Sequence, residues 1–150
     1  VGFGTNSDGG HVTQPNSQNM EAAMRLALDD AGLRPSSIAY VNAHGTATDR
    51  GDIAESNATE RLFGSKIPVS TLKGHIGHTL GACGAIESWA AINMMNTDWL
   101  AYTNNLDKPD NACGKLDYIM QEGRTVGCAF VMKNNFAFGG INTSLIFAKS

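Results

Sequence analysis

Apolar positions along this chain recur at two different periods, and the switches between them mark out alternating elements. Met20, Ala23, Met24, Ala27, Leu28 and Ala31 follow three- and four-residue spacing, which predicts one stripe of an amphipathic helix over 20–31. Gly32 and Pro35 are its stop signals. Residues 38–43 mix β-branched, aromatic and small residues and predict an interior strand. Residues 49–63 predict a second helix, with Asp49 and Asp52 where the helix dipole favours carboxylates and Gly64 past the end. Residues 67–71 predict the next strand. Residues 79–95 predict a third helix, apolar on nearly every side with Glu87 as its single charge. A helix of that kind is expected to be buried all round. Beyond it, 101–103, 116–119, 128–132 and 143–147 predict strands between loops rich in Asn, Asp, Gly and Pro. Residues 5–18 predict a surface loop. The order predicts an α/β layer whose sheet begins parallel and finishes antiparallel.

Composition narrows the function classes. One hundred and fifty residues make one domain, and 42% apolar content is that of a globular chain. A net charge of −3, with no basic run, gives no footprint for nucleic acid. No apolar stretch reaches the roughly 20 residues of a membrane span. Three cysteines without framework spacing read as reduced thiols in a cytoplasmic protein. Val1-Gly2-Phe3-Gly4 has no initiator methionine and reads as a strand end entering a loop, so a piece of a longer polypeptide is expected.

Two strand ends carry the candidate chemistry. Asn42-Ala43-His44-Gly45-Thr46-Ala47-Thr48 and Lys73-Gly74-His75-Ile76-Gly77-His78 each set histidine among glycines just after a predicted strand. Such a turn exposes side chains while the backbone approaches a substrate. His44 could simply bond its own turn, but the Thr46 and Thr48 hydroxyls beside it could hold a polar tether. His75 and His78, with His44, invite a metal site. That reading stays as the weaker alternative, testable by zinc titration, because the loop is glycine-rich and has no acid or thiol in the immediate spacing. Neutral histidines donating to a developing enolate fit better. Lys73 would disfavour their protonation, and it is the expected partner of Glu87. In Asn134 to Asn142, Phe136 and Phe138 flank Ala137 ahead of Gly139-Gly140. That segment reads as a plain hairpin or as a loop offering backbone N–H groups to an oxyanion. Cys83, Cys113 and Cys128 read as packing residues, none opening a helix beside a base.

Together these segments resemble the β-ketoacyl-acyl carrier protein synthases, the elongating condensing enzymes, over essentially the whole chain but only in that family's C-terminal half. Asn42 to Thr48 with Gly51-Asp52, Lys73 to Gly84, and Asn134 to Asn142 carry the resemblance. It implies the second βαβαβαββ half of a thiolase-like fold, with a mixed five-stranded sheet and the nucleophilic cysteine in an absent first half. It implies a decarboxylative Claisen condensation of malonyl-carrier protein with an acyl thioester. His44, His78, Lys73 and Phe138 would be catalytic, Thr46, Thr48 and Phe136 would bind substrate, and Glu87 and Asp52 would give electrostatic support. No metal and no cofactor are implied beyond the phosphopantetheine that the substrate carries on acyl carrier protein. A homodimer is implied, with no nucleic-acid or membrane partner. Ala137, Ile141, Gly74-His75 and Cys83 depart from the family pattern and point to a branch elongating unusual acyl chains. The alternative is a non-catalytic chain-length-factor subunit.

Overall fold

In the computed structural model, which describes residues 1–9 and 13–150, the chain opens on an edge strand, β1 (Gly2–Ser7). It runs three residues past the expected end at Gly4, because Thr5, Asn6 and Ser7 pair with Thr143, Asn142 and Ile141. Of the loop expected over 5–18, residues 10–12 lie outside the described residues. Helix α1 (Ser17–Ala31) starts where the Asn16 side chain accepts the Gln18 and Asn19 N–H groups, and it ends at Gly32 in the left-handed region (φ 64°). Its buried stripe is Met20, Ala23, Met24, Ala27 and Leu28, as the spacing predicts. Gly4 lets β1 lie directly on this helix, since a Cβ there would run into the Ala23 carbonyl.

Strand β2 (Tyr40–Asn42) and helix α2 (Asp49–Phe63) follow, the helix with the bounds the sequence predicts. After β3 (Pro68–Ser70) come the one-turn α3 (Lys73–Ile76), a 3-10 turn at Leu80–Ala82, and α4 (Cys83–Thr97). The expected single helix over 79–95 is thus split, and Leu80 is left-handed (φ 52°) at the break. The left-handed Asp98 (φ 51°) then turns the chain straight into β4 (Trp99–Leu100). The strand expected at 101–103 is therefore two residues early, and only Thr103 bridges, to Met120. Strands β5 (Asp117–Tyr118), β6 (Arg124–Thr125), β7 (Phe130–Phe136) and β8 (Ile141–Ala148) complete the chain. Strand β6, which pairs antiparallel with β4, lies outside every predicted strand.

Among the described residues the main sheet has six strands in the order β1-β8-β7-β2-β3-β5. Five belong to the βαβαβαββ series expected of a thiolase-like half: β1, α1, β2, α2, β3, α4, β7, β8. The sixth, β5, comes from the segment between α4 and β7 and corrects the expected count. β7, β2, β3 and β5 run parallel, while β8 and β1 are antiparallel additions. Strand alternation sorts neighbours onto opposite faces. Val41, Val69 and Met132 join α1 and α2 in one buried cluster, whereas Tyr40 and Val131 join Ala91, Met94 and Met95 of α4 in the other. The expectation that α4 is buried all round does not hold. Its buried positions are Cys83, Glu87, Ala91, Met94 and Met95, while Trp89 is 69% exposed on the opposite side. Helix apolarity shows what a face can bury against, not which faces this chain covers. None of the helices among the described residues is long and apolar enough to cross a membrane.

Candidate active site

The loops after β2 and β3 meet at the carboxyl ends of the parallel strands, where open α/β sheets place ligands. The first is fastened from below by α2. Glu55 Oε1 and Oε2 accept the His44 and Gly45 N–H groups, each at 2.8 Å, and Asp52 Oδ1 accepts that of Thr46 at 3.0 Å. Two carboxylates on one helix face thus hold three successive backbone donors. Burial pushes the Glu55 carboxyl up despite the bonds from Gly45 and His44. Burial likewise raises Asp52 against bonds from Thr46, Ala47 and Thr48. Gly45 sits at φ 38° against Thr71, whose Cβ would lie 2.8 Å from any added Cβ, so only glycine fits.

Beneath the second loop lies a buried charge cluster. Lys73 Nζ donates to Glu87 Oε1 at 2.7 Å and also to the His44 carbonyl. Lys133 Nζ, on β7, lies 2.7 Å from Glu87 Oε2 and donates to the Asn134 carbonyl. Glu87 is fully buried. Burial works to raise its carboxyl, but Lys133 and Lys73 prevail and hold it below the ordinary range. The Lys133 ammonium is pushed down by burial, against the pull of Glu87.

His44 and His78 meet edge to face with ring centroids 5.4 Å apart, and the Phe136 ring stands 6.5 Å from His44. Burial first, then Lys73 and Lys133, push the His44 imidazole down to about 3, so it is neutral at physiological pH. His44 Nδ1 is buried without a hydrogen-bond partner among the described residues. His78 is exposed and accepts the Leu80 N–H on Nδ1 at 3.0 Å. With Nδ1 occupied as an acceptor, Nε2 is the ring nitrogen of His78 left to donate. His75 takes no part. Its Nε2 bonds the Tyr102 carbonyl at 2.8 Å, and its ring stacks edge-on against Tyr102.

A cavity of about 830 Å³ opens beside His78, with Thr46, Thr48, Asp52, Lys73 and Asn104 also in its wall. The Thr46 and Thr48 hydroxyls bond each other at 3.0 Å. Phe136, at the end of β7, is buried, whereas Phe138 is 80% exposed at the tip of the 137–140 turn. The structure therefore gathers His44, His78, Lys73, Glu87, Asp52, Thr46 and Thr48, and leaves Phe138 projecting outward.

Three contributors escaped the sequence. Glu55 lies three residues beyond Asp52, already singled out, on one predicted helix, so their shared face was a readable signal. Lys133 follows immediately on the predicted strand 128–132, and a charge there signals a partner only if the strand is known to be central. Cys83 was expected inside a helix, away from any base. It is in fact the first residue of α4, and its thiol and one ring nitrogen each of His44 and His78 lie within 4.8 Å of one another. The reason is that the helix proper begins three residues later than the apolar run. Burial and the adjacent Glu87 push the Cys83 thiol up.

Residues 1–107 match the family described as "Beta-ketoacyl synthase, C-terminal domain". The 3-oxoacyl-[acyl-carrier-protein] synthase 2 of Coxiella burnetii is 36% identical over 99% of this chain and 37% of its own length. A crystal structure of a β-ketoacyl synthase from Burkholderia phymatum is 61% identical, with a TM-score of 0.99, covering 100% of this chain and 37% of that one. A ketosynthase in complex with its chain length factor from Xenorhabdus doucetiae is 35% identical, with a TM-score of 0.93, covering 100% and 38%. The chain thus spans little more than a third of the length of these relatives.

Proposed function

Since the chain belongs to the β-ketoacyl synthase family, we propose that residues 1–150 are the C-terminal domain of a 3-oxoacyl-acyl carrier protein synthase and supply its histidine pair. One observation carries this reading: two imidazoles face each other 5.4 Å apart beside a cavity, with burial and a buried lysine pair keeping His44 neutral. A malonyl thioester in that cavity loses its carboxylate as carbon dioxide. The electron pair of the broken bond passes to the α-carbon and onto the thioester oxygen. N–H donors waiting at that oxygen act where charge develops and need no reorganisation. His78 offers its Nε2–H, and His44 offers a second donor. The carbanion then attacks an acyl thioester held on a cysteine in another part of the full-length protein. A carbon–carbon bond forms and the thiolate leaves.

Lys73 anchors the His44 carbonyl to Glu87, so it positions His44 as well as disfavouring its protonation. Asp52 holds the loop that presents Thr46 and Thr48 to the phosphopantetheine arm delivered by acyl carrier protein. The Phe138 N–H serves the acyl oxyanion, and Phe136 walls the site behind His44. The reaction needs no cofactor or metal, and the full-length protein works as a cytoplasmic homodimer. A chain-length-factor subunit would not need the His44, His78 and Lys73 set, and its retention favours the condensing role. His78→Ala in the full-length protein should cut malonyl decarboxylation by about 10² or more, the usual cost of one such donor. A normal decarboxylation rate would refute the assignment.

A further inference from the structure

We propose that His44, His78 and Cys83 form a three-ligand site for a thiophilic divalent cation, zinc above all, that closes the histidine pair to substrate. The three come from separate pieces of the fold: the loop after β2, the loop after α3, and the first residue of α4. Their donor atoms nevertheless lie within 4.8 Å of one another. One sulfur and two imidazole nitrogens are a zinc donor set, and three protein ligands leave the fourth tetrahedral position open. With Zn–N about 2.0–2.1 Å and Zn–S about 2.3 Å, tetrahedral ligands stand roughly 3.3–3.6 Å apart. The site has to contract by about an ångström. Exposed His78 can supply that movement, while His44 and Cys83 sit on fastened backbone.

Each ligand has a lone pair to give. His44 Nδ1 is buried and bonded to nothing among the described residues. His78 engages its Nδ1 with the Leu80 N–H, which leaves Nε2 to turn toward a metal. Cys83 Sγ already accepts from Asn135 Nδ2 at 3.7 Å, a contact that suits a thiolate. Coordination deprotonates a thiol outright, so one proton passes to solvent for each ion bound. Local charge permits a cation. Lys73 and Lys133 are matched by Glu87 and Glu55, and the new thiolate offsets half of the zinc charge. His75 is not a ligand, because it is committed to Tyr102. Only the blocking of catalysis rests on the condensing reading; coordination stands on the three side chains themselves.

The test uses the full-length protein containing this chain, stripped with chelator and titrated with cobalt(II) under anaerobic conditions. A near-ultraviolet thiolate-to-cobalt charge-transfer band should appear, saturate and be displaced by zinc. The band should vanish in Cys83→Ala and Cys83→Ser. Zinc affinity should fall at least ~10-fold in either variant and in His78→Ala, the least that loss of even a supporting partner costs such sites. His75→Ala should bind as wild type. Two Cys83 replacements are used so that a folding defect in one does not decide the result. No band in the wild type, or a band that persists in a folded Cys83 variant, overturns the proposal. Zinc binding at Cys83 without loss of condensation would instead overturn the role given to His44 and His78.

Discussion

Replacing Glu87 with glutamine keeps the shape of the side chain and deletes the one negative charge shared by two buried ammonium groups. Lys73 and Lys133 each lie 2.7 Å from a Glu87 oxygen, and their side chains are 6% and 0% exposed. At an effective dielectric of 20, one unit pair at that separation is worth about 6 kcal/mol gross. The protein can avoid part of that loss by releasing the Lys133 proton. Holding a lysine of ordinary pKa 10.5 neutral at pH 7 costs about 5 kcal/mol, which caps the penalty. A loss of about 3–5 kcal/mol is therefore expected at pH 7, the range for breaking a buried pair from one side. The cap gives a pH signature. In the variant, folded Lys133 binds its proton more weakly than the unfolded chain does, so stability rises with pH, by at most about 1.4 kcal/mol per unit. The deficit against wild type should narrow from pH 7 toward pH 9. Glu87→Gln/Lys133→Met removes the stranded charge and should recover most of the loss, whereas Lys133→Met alone leaves the Lys73 pair intact and should cost less than Glu87→Gln. Urea denaturation of the full-length protein at several pH values reads all of these. A Glu87→Gln variant within about 1 kcal/mol of wild type at pH 7, or one whose deficit ignores pH, would show that no charge pair stabilises this site.

Three further outcomes are expected. His44, pushed down to about 3 by burial and the two lysines, should stay neutral through the mildly acid range. The unfolded chain takes up that proton below 6.5, so the His44 contribution to stability should be flat above 6.5 and fall from there toward 3; an NMR titration of the ring with a midpoint near 6.5 would contradict this. Asp52→Ala removes the acceptor of the Thr46 N–H and should cost about 1–3 kcal/mol, with slower turnover at limiting carrier-protein substrate; unchanged stability and kinetics would show that the loop holds its shape unaided. Gly4→Ala drives a Cβ into the Ala23 carbonyl, and should lower stability by about 1–3 kcal/mol through separation of β1 from α1; a loss below 0.5 kcal/mol would refute that close approach.

Legibility in the sequence followed the range of the interactions involved. The bounds of α2 and the buried stripe of α1 were readable because helix periodicity and the glycines that end helices are properties of a few adjacent residues. The length of β1 was not, because polar Thr5, Asn6 and Ser7 become a strand only through partners about 135 residues away. The outward face of α4 was misread because apolar content is local while coverage is not. For the site, His44, His78 and Lys73 stood out from their glycine setting. The grip of Glu55 and Asp52 on the His44 loop also depends on residues close in sequence, and the helix period could have found it.

Lys133 and Cys83 needed the sheet itself. Parallel register aligns Asn42 with Lys133 on one side of β2 and with Ser70 on the other. The first pairing carries a lysine from β7 to the level of the loop that begins at Ala43, and the alternation that sends Met132 toward α1 and α2 sends Lys133 toward α4. There the only carboxylate on α4 is Glu87, four residues beyond Cys83 and one helical turn along the same buried stripe. The turn that brings Glu87 to the two lysines therefore also brings the Cys83 thiol to the histidines. A single helix placement sets both the charge beneath the imidazoles and the sulfur beside them, so the electrostatics of the proposed reaction and the proposed metal site stand or fall on where α4 begins.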